Sequence, residues 1–171
     1  MVSRQTGILL AALVALGGAS VVGGAVVDAP PTLTVENDDN TTYRVTAYTA
    51  DSMDDALLRN FRVTTPDGDD RLVTYSQLVW PEDYRNVTAT DPVPTQRITV
   101  EPNAVTNATI RRWEPGDVTI YIVEDLGNDE RHVWSTLETC QQRQQEHRIR
   151  LQNGYDGGGS RCASSFDLFL A

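Results

Sequence analysis

The sequence predicts an all-β fold, a single antiparallel β-sandwich preceded by an N-terminal apolar helix. Three observations carry that prediction. Beyond residue 42 the apolar residues recur with a period of two, turn residues break the pattern roughly every 8–12 residues, and no long stretch keeps a helical period. Short strands separated in this way are the pattern of a sandwich, immunoglobulin-like in a loose sense.

The chain begins with its one long uncharged run. Gly7–Val27 (GILLAALVALGGASVVGGAVV) holds 21 residues, and as a helix it would span about 31 Å, the thickness of a hydrocarbon core. Arg4 precedes it and Asp28 follows it, so the positive-inside rule puts the bulk of the chain outside the membrane. A cleaved secretory signal is the alternative, with Gly17/Ala19 and Gly23/Ala25 as small-residue cleavage sites. The expected division is an anchor or signal over 1–27, a linker over 28–42 containing Pro30-Pro31 and the polar turn Glu36–Asn40, and the sandwich over 43–171.

Tyr43–Ala50 opens the strands, with Val45, Ala47 and Thr49 on one face and Arg44, Thr46 and Tyr48 on the other. Asp51–Asn60 has the form of a capping box from Ser52 to Asp55 and predicts one or two helical turns. Phe61–Thr65 and Arg71–Tyr75 flank Pro66-Asp-Gly-Asp-Asp70, a hairpin signal. Gln96–Val100 and Asn107–Trp113 follow. Glu114-Pro-Gly-Asp117 turns into Val118–Val123, the most β-branched run of the chain. His132–Cys140 and Arg148–Gln152 are further strands, Thr139–His147 is ambiguous between helix and strand, Asn153–Ser160 reads as a glycine loop, and Ser164–Leu170 closes the sequence.

Composition says where such a domain lives. All 14 basic residues are arginine, there is no lysine, and 24 residues are acidic, for a net charge of −10. Arginine keeps the planar bidentate partner for carboxylates while the flexible, strongly hydrated ammonium is lost. An acid excess destabilises by self-repulsion unless salt screens it, the screening length falling from about 10 Å at 0.1 M to about 3 Å at 1 M. The pattern predicts a high-salt protein whose thermal midpoint rises steeply with KCl. Nucleic acid is excluded as a partner, because phosphate contacts need a basic patch and Arg111–Arg112 is the only basic doublet.

Candidate sites are few. Cys140 and Cys162, in an exported domain, read as a disulfide closing a loop of about 23 residues, a constraint of about 3 kcal/mol. Asn40-Thr-Thr, Asn86-Val-Thr and Asn107-Ala-Thr are glycosylation sequons. His132, Cys140 and His147 suit neither a copper nor a zinc set, since Cys140 has a partner, no axial Met follows, and the histidines read as surface residues. The acidic clusters Asp67/Asp69/Asp70, Glu36/Asp38/Asp39 and Asp125/Asp129/Glu130 lack the calcium-loop spacing and read as solvated turns. Ser135 stands three residues after His132, a spacing that puts the two on opposite faces of a strand. Nucleophile-elbow, zincin and phosphate-loop motifs are absent from the sequence. Trp80, Trp113, Trp134, Tyr48 and Tyr121 are read as core rather than as a binding platform.

The apolar N-terminus, the missing lysine, the Thr/Asp-rich strands, Trp113-Glu-Pro-Gly-Asp117 before VTIYIV, and a cysteine pair flanking a Gly-rich loop together form a combination. It resembles the small exported or membrane-anchored proteins of extremely halophilic archaea. No residue inherits a role from that resemblance. The functional expectation is a non-catalytic envelope protein that needs no cofactor: a sandwich tethered to the membrane through Gly7–Val27 and contacting other envelope proteins or glycans. A solute- or ion-binding accessory module of a membrane transporter or redox system is the alternative, and a secreted form after signal cleavage is the alternative address.

Overall fold

The β-branched run that opens at Val118 forms the middle of the molecule, because its side chains are buried on both faces. The computed structural model describes residues 29–80, 82–127, 130–140, 144–152 and 157–163. The strands are β1 (Thr32–Asn37), β2 (Tyr43–Ala50), β3 (Asn60–Thr64), β4 (Asp70–Thr74), β5 (Arg85–Ala89), β6 (Thr95–Val100), β7 (Val105–Thr109), β8 (Val118–Asp125), β9 (Arg131–Glu138), β10 (Gln144–Leu151) and β11 (Gly157–Ala163). Two short helices, α1 (Met53–Leu58) and α2 (Tyr75–Leu78), join them. Sheet A runs β11-β10-β1-β7, sheet B runs β6-β2-β8-β9, and sheet C runs β4-β3-β5. The all-β expectation holds, with one change: β1 and β10 pair in parallel, whereas the other pairs are antiparallel.

Sheet B is the middle layer. Tyr43, Val45, Ala47, Tyr121 and Val123 pack toward sheet A against Leu33, Val35, Ile149 and Leu151. Tyr48, Ala50, Val118, Ile120 and Ile122 point the other way, against Phe61, Val63, Val73, Tyr84 and Val87. The alternation read from Tyr43–Ala50 is therefore real, but both of its faces are inside. Everything between β2 and β6, which are neighbours in sheet B, is an insertion that folds over the outer face of that sheet. A two-layer sandwich has become three layers.

Local chemistry explains the turns. Ser52 caps α1, its hydroxyl accepting from the Asp55 amide at 3.1 Å. Gly68 closes the β3–β4 hairpin at a φ of 91° and Gly116 the Glu114–Asp117 turn at 104°, a backbone region that L side chains avoid. Asn37 is buried, and its side-chain amide donates to the Thr41 carbonyl at 2.8 Å and the Glu101 carbonyl at 2.9 Å, fixing where the chain leaves sheet A for sheet B.

Several expectations change. The stretch 28–42, expected as a linker, contains β1, an interior strand of sheet A; Leu33 and Val35 alternate into the core there. The ambiguous stretch ending at His147 enters β10, and the expected glycine loop becomes strand β11 from Gly157 onward. The run Asn107–Trp113 is a strand only to Thr109. Strand β5 and helix α2 have weak local patterns and were not expected. Gly7–Val27 and Ser164–Leu170 lie outside the described residues, among which no helix is long and apolar enough to cross a membrane.

Candidate functional site

The side chains with the most chemical potential lie inside the layers. His132 and Ser135 were expected on opposite faces of β9 and are on the same one. The β8–β9 register runs Val123 opposite Trp134 and then Glu124 opposite His132, so Val133 is an extra residue, a β-bulge. The bulge turns His132 toward the third layer beside Ser135, with Nε2 and Oγ 2.7 Å apart. It turns Val133 and Trp134 together toward sheet A. The His132 amide donates to the Tyr84 carbonyl at 2.6 Å, so the bulge also joins sheet B to the insertion.

His147 is the counterpart on the opposite face. Its Nδ1 lies 2.6 Å from the Tyr121 hydroxyl and its Nε2 3.1 Å from Gln145 Oε1. Gln145 in turn donates to the Cys140 carbonyl at 3.0 Å. This chain of buried bonds links β8 of sheet B to β10 of sheet A. The sequence reading of both histidines as surface residues is overturned: they are 0% and 1% exposed, because the strands that carry them are covered by a neighbouring layer. Burial disfavours their charged forms and pushes both down to about 4. Burial likewise pushes the Tyr121 hydroxyl up. Sheet B stands between the two histidines, so they cannot share an ion.

A buried charge completes the interior set. Glu124 is 1% exposed and accepts from Arg44 Nε at 2.9 Å and more weakly from the Val87 amide at 3.4 Å. Arg44 also pairs with Glu130, and the two carboxylates, Glu124 foremost, push the guanidinium further above its usual range.

Several of the clustered acids have arginine or hydroxyl partners. Glu36 meets Arg148 at 3.5 Å and Asp38 meets Arg150 at 2.8 Å; Asp39 accepts from Tyr43 and Asp125 from Thr41. Among the described residues no group of three metal-ligating side chains occurs. Of the aromatic set, Tyr48, Tyr121 and Trp113 are core and Trp134 packs against it, whereas Trp80 stands out at 72% exposure. The five do not form one platform.

Cys140 is buried two residues beyond the end of β9. Cys162 sits on β11 opposite Gln145, the residue whose side chain reaches Cys140; the side chain of Cys162 lies outside the described residues. The three sequons are all exposed: Asn40 in the β1–β2 turn, Asn86 on β5 and Asn107 on β7.

The outward face of sheet A carries a feature that the sequence reading passed over. A shallow groove of about 780 Å³ crosses it, lined by Thr34, Asn107, Arg148, Arg150, Gly159 and Arg161 among others. Its signal was present in the sequence as Arg148 and Arg150, two apart on a strand. A search for adjacent basic residues misses cations that only sheet pairing gathers.

These features define an immunoglobulin-like β-sandwich module with an added third layer. The chain belongs to the halobacterial Ig domain protein family, whose model matches residues 1–171. No curated protein matches it in sequence. Among solved structures it is similar to the membrane-binding domain of pneumolysin, at 11% identity and a TM-score of 0.34 over 79% of this chain and 98% of that one. It is also similar to a chain described as a trapped toxin (9% identity, TM-score 0.33, 77% of this chain and 23% of that one). The suilysin cytotoxin of Streptococcus suis is a further likeness (8%, 0.27, 78% and 23%). The chain spans about a quarter of the trapped-toxin and suilysin chains, and likenesses this distant say nothing of activity.

Proposed function

We propose that this protein is a non-catalytic cell-surface module, held outside the membrane by Gly7–Val27 and presenting its sandwich to envelope proteins or glycans. One observation carries the reading: the buried acid–base and nucleophilic side chains are taken up in internal hydrogen bonds. His132, Ser135, His147 and Tyr121 are each buried, His147 and Tyr121 bonded to one another between two sheets and His132 and Ser135 to one another within β9, while the exposed sheet face offers hydroxyls, amides and guanidinium groups suited to contact. The acid excess without lysine supports an address in high salt. The pairing of Cys140 with Cys162 belongs to the same proposal, supported by Gln145 of β10, which donates to the Cys140 carbonyl and stands opposite Cys162 on β11.

Protease treatment of intact cells in molar salt tests the address. The expected result is loss of the domain from intact cells, with an N-terminal peptide containing Leu9–Val22 recovered from the washed membranes. A domain protected until the cells are lysed would end the reading. A soluble form starting near Ser20 or Val26 would replace the anchor by a cleaved signal.

A further inference from the structure

The groove on sheet A and the sequon at Asn107 are parts of one arrangement. Asn107 pairs with Thr34, Thr34 with Arg148, and Arg148 with Gly159, so the four form a single row across β7, β1, β10 and β11. At about 4.8 Å between strands the row is about 14 Å long, a distance that a short oligosaccharide bridges. Beside it runs the row Thr32, Glu146 and Arg161. At the far end Gly159 has no side chain, and nothing lies within 4 Å of where a Cβ would be, which leaves the sheet bare for a sugar ring.

The three sequons differ in their readiness for modification. Thr34 Oγ1 donates to Asn107 Oδ1 at 2.8 Å, which orients the amide and leaves Nδ2, the atom a glycan is attached to, without a partner among the described residues. Asn86 instead engages its Nδ2 with Thr64 at 3.4 Å and holds a φ of 52°. Asn40 follows two acids, and its backbone amide is tied to the Asp39 carboxylate at 3.0 Å.

We propose that Asn107 carries an N-linked oligosaccharide that lies back along this row, and that Arg148 and Arg161 hold an anionic sugar of that glycan. In the attachment step Nδ2 bonds to the anomeric carbon of a phosphate-activated saccharide. The bond from that carbon to the phosphate oxygen breaks, and the amide proton leaves with the phosphate; a separate glycosyltransferase of the host performs the transfer. The anionic class follows from the cations. Three of the 14 arginines of a net-acidic chain line this groove, and a guanidinium fork suits the paired oxygens of a carboxylate or sulfate. Arg148 has only a long contact to Glu36, at 3.5 Å, and Arg161 has no ion pair among the described residues. Direct contact of this kind falls within the screening length of about 3 Å at 1 M salt. The glycan also covers β7, an edge strand whose free backbone groups would otherwise recruit another chain.

This inference rests on the domain being exported, where the modification is added. The test uses the full chain produced in a glycosylating halophilic host and purified in molar salt. Glycopeptide mass spectrometry is expected to find Asn107 modified by a glycan containing a carboxylate or sulfate, with Asn40 and Asn86 bare. T109A removes the sequon and keeps the Asn107–Thr34 bond; it should lower the thermal midpoint by about 3 °C. In an R148Q/R161Q background, whose two changes are on exposed side chains, T109A should have no further effect. An unmodified Asn107, a neutral glycan, or an equal T109A shift in both backgrounds would overturn the proposal. Protease accessibility on intact cells separates the two levels: an accessible domain with a bare Asn107 removes this inference alone, and a protected domain removes the surface reading with it.

Discussion

The two faces of sheet B meet different partners and are held differently. Toward sheet A the packing is aliphatic, from Leu33, Val35, Ile149 and Leu151, and it is crossed by the hydrogen-bonded chain from Tyr121 through His147 to Gln145. At its edge Trp134 lies on Gly158, where an added Cβ would meet the ring at 2.4 Å. Toward the insertion the packing is aromatic. Tyr48 and Phe61 meet edge to face at 5.5 Å, and the polar contacts, His132 with Ser135 and Arg44 with Glu124, gather near the β9 bulge. Each face thus buries one neutral histidine, but only the sheet A side uses it to tie two sheets directly. The sandwich face is sequence-distant, joining β1 to β10, whereas the insertion face is built from one continuous segment between β2 and β6.

The largest expected effect is common to both faces and comes from pH. Burial pushes each histidine down to about 4 in the fold, against the usual 6.5 of an exposed imidazole. Between those values the unfolded chain binds protons that the folded one refuses, so stability falls as pH drops from 6.5 to 4, by about 3 kcal/mol per histidine. Denaturant midpoints measured across this range in 2 M KCl, where carboxylate repulsion is screened, should show that fall. H132Q and H147Q should each remove about half of the slope. A flat profile would refute neutral burial on both faces. At low salt, protonation of the surface acids relieves their mutual repulsion and so works against this loss of stability.

The faces are then separated by F61A. Losing this ring from the aromatic core should cost about 3–5 kcal/mol, and hydrogen exchange should rise first in β3–β5 while β1 and β10 stay protected. Equal loss of protection throughout would mean that the layers unfold as one unit and that the contrast between them is only structural. Y121F probes the other face. It strands the His147 Nδ1 in the core, and guanidinium unfolding should report a loss of about 1–3 kcal/mol. A neutral outcome would reduce the bridge to packing. The smallest effect is S52A, about 1 kcal/mol from the lost cap of α1; it should appear in the insertion's exchange rates and leave sheet A unmoved.

Much of the fold was legible because its signals are local. The period of two at Tyr43–Ala50, the Pro66–Asp70 hairpin, the Glu114–Asp117 turn and the Ser52 cap all depend on a few consecutive residues. What was missed depends on pairing. β1 sits in a stretch that reads as a polar linker until sheet A surrounds Leu33 and Val35. β11 is glycine-rich, and it is a strand because β10 offers its edge and because Trp134 needs the space that Gly158 leaves. The bulge at Val133 has no local signature, so His132 and Ser135 looked like residues on opposite faces.

By itself, then, the sequence determined the all-β class, most strand positions, the acidic and lysine-free surface, and the uncharged Gly7–Val27 run. These follow from composition and from backbone preferences acting over a few residues. Only the tertiary structure decided that sheet B is covered on both sides, that both histidines are buried and neutral, and that Arg148, Arg161 and Asn107 share one groove. Those facts rest on residues tens of positions apart meeting across strands, and a period of two says which side chains share a face without saying what will cover it.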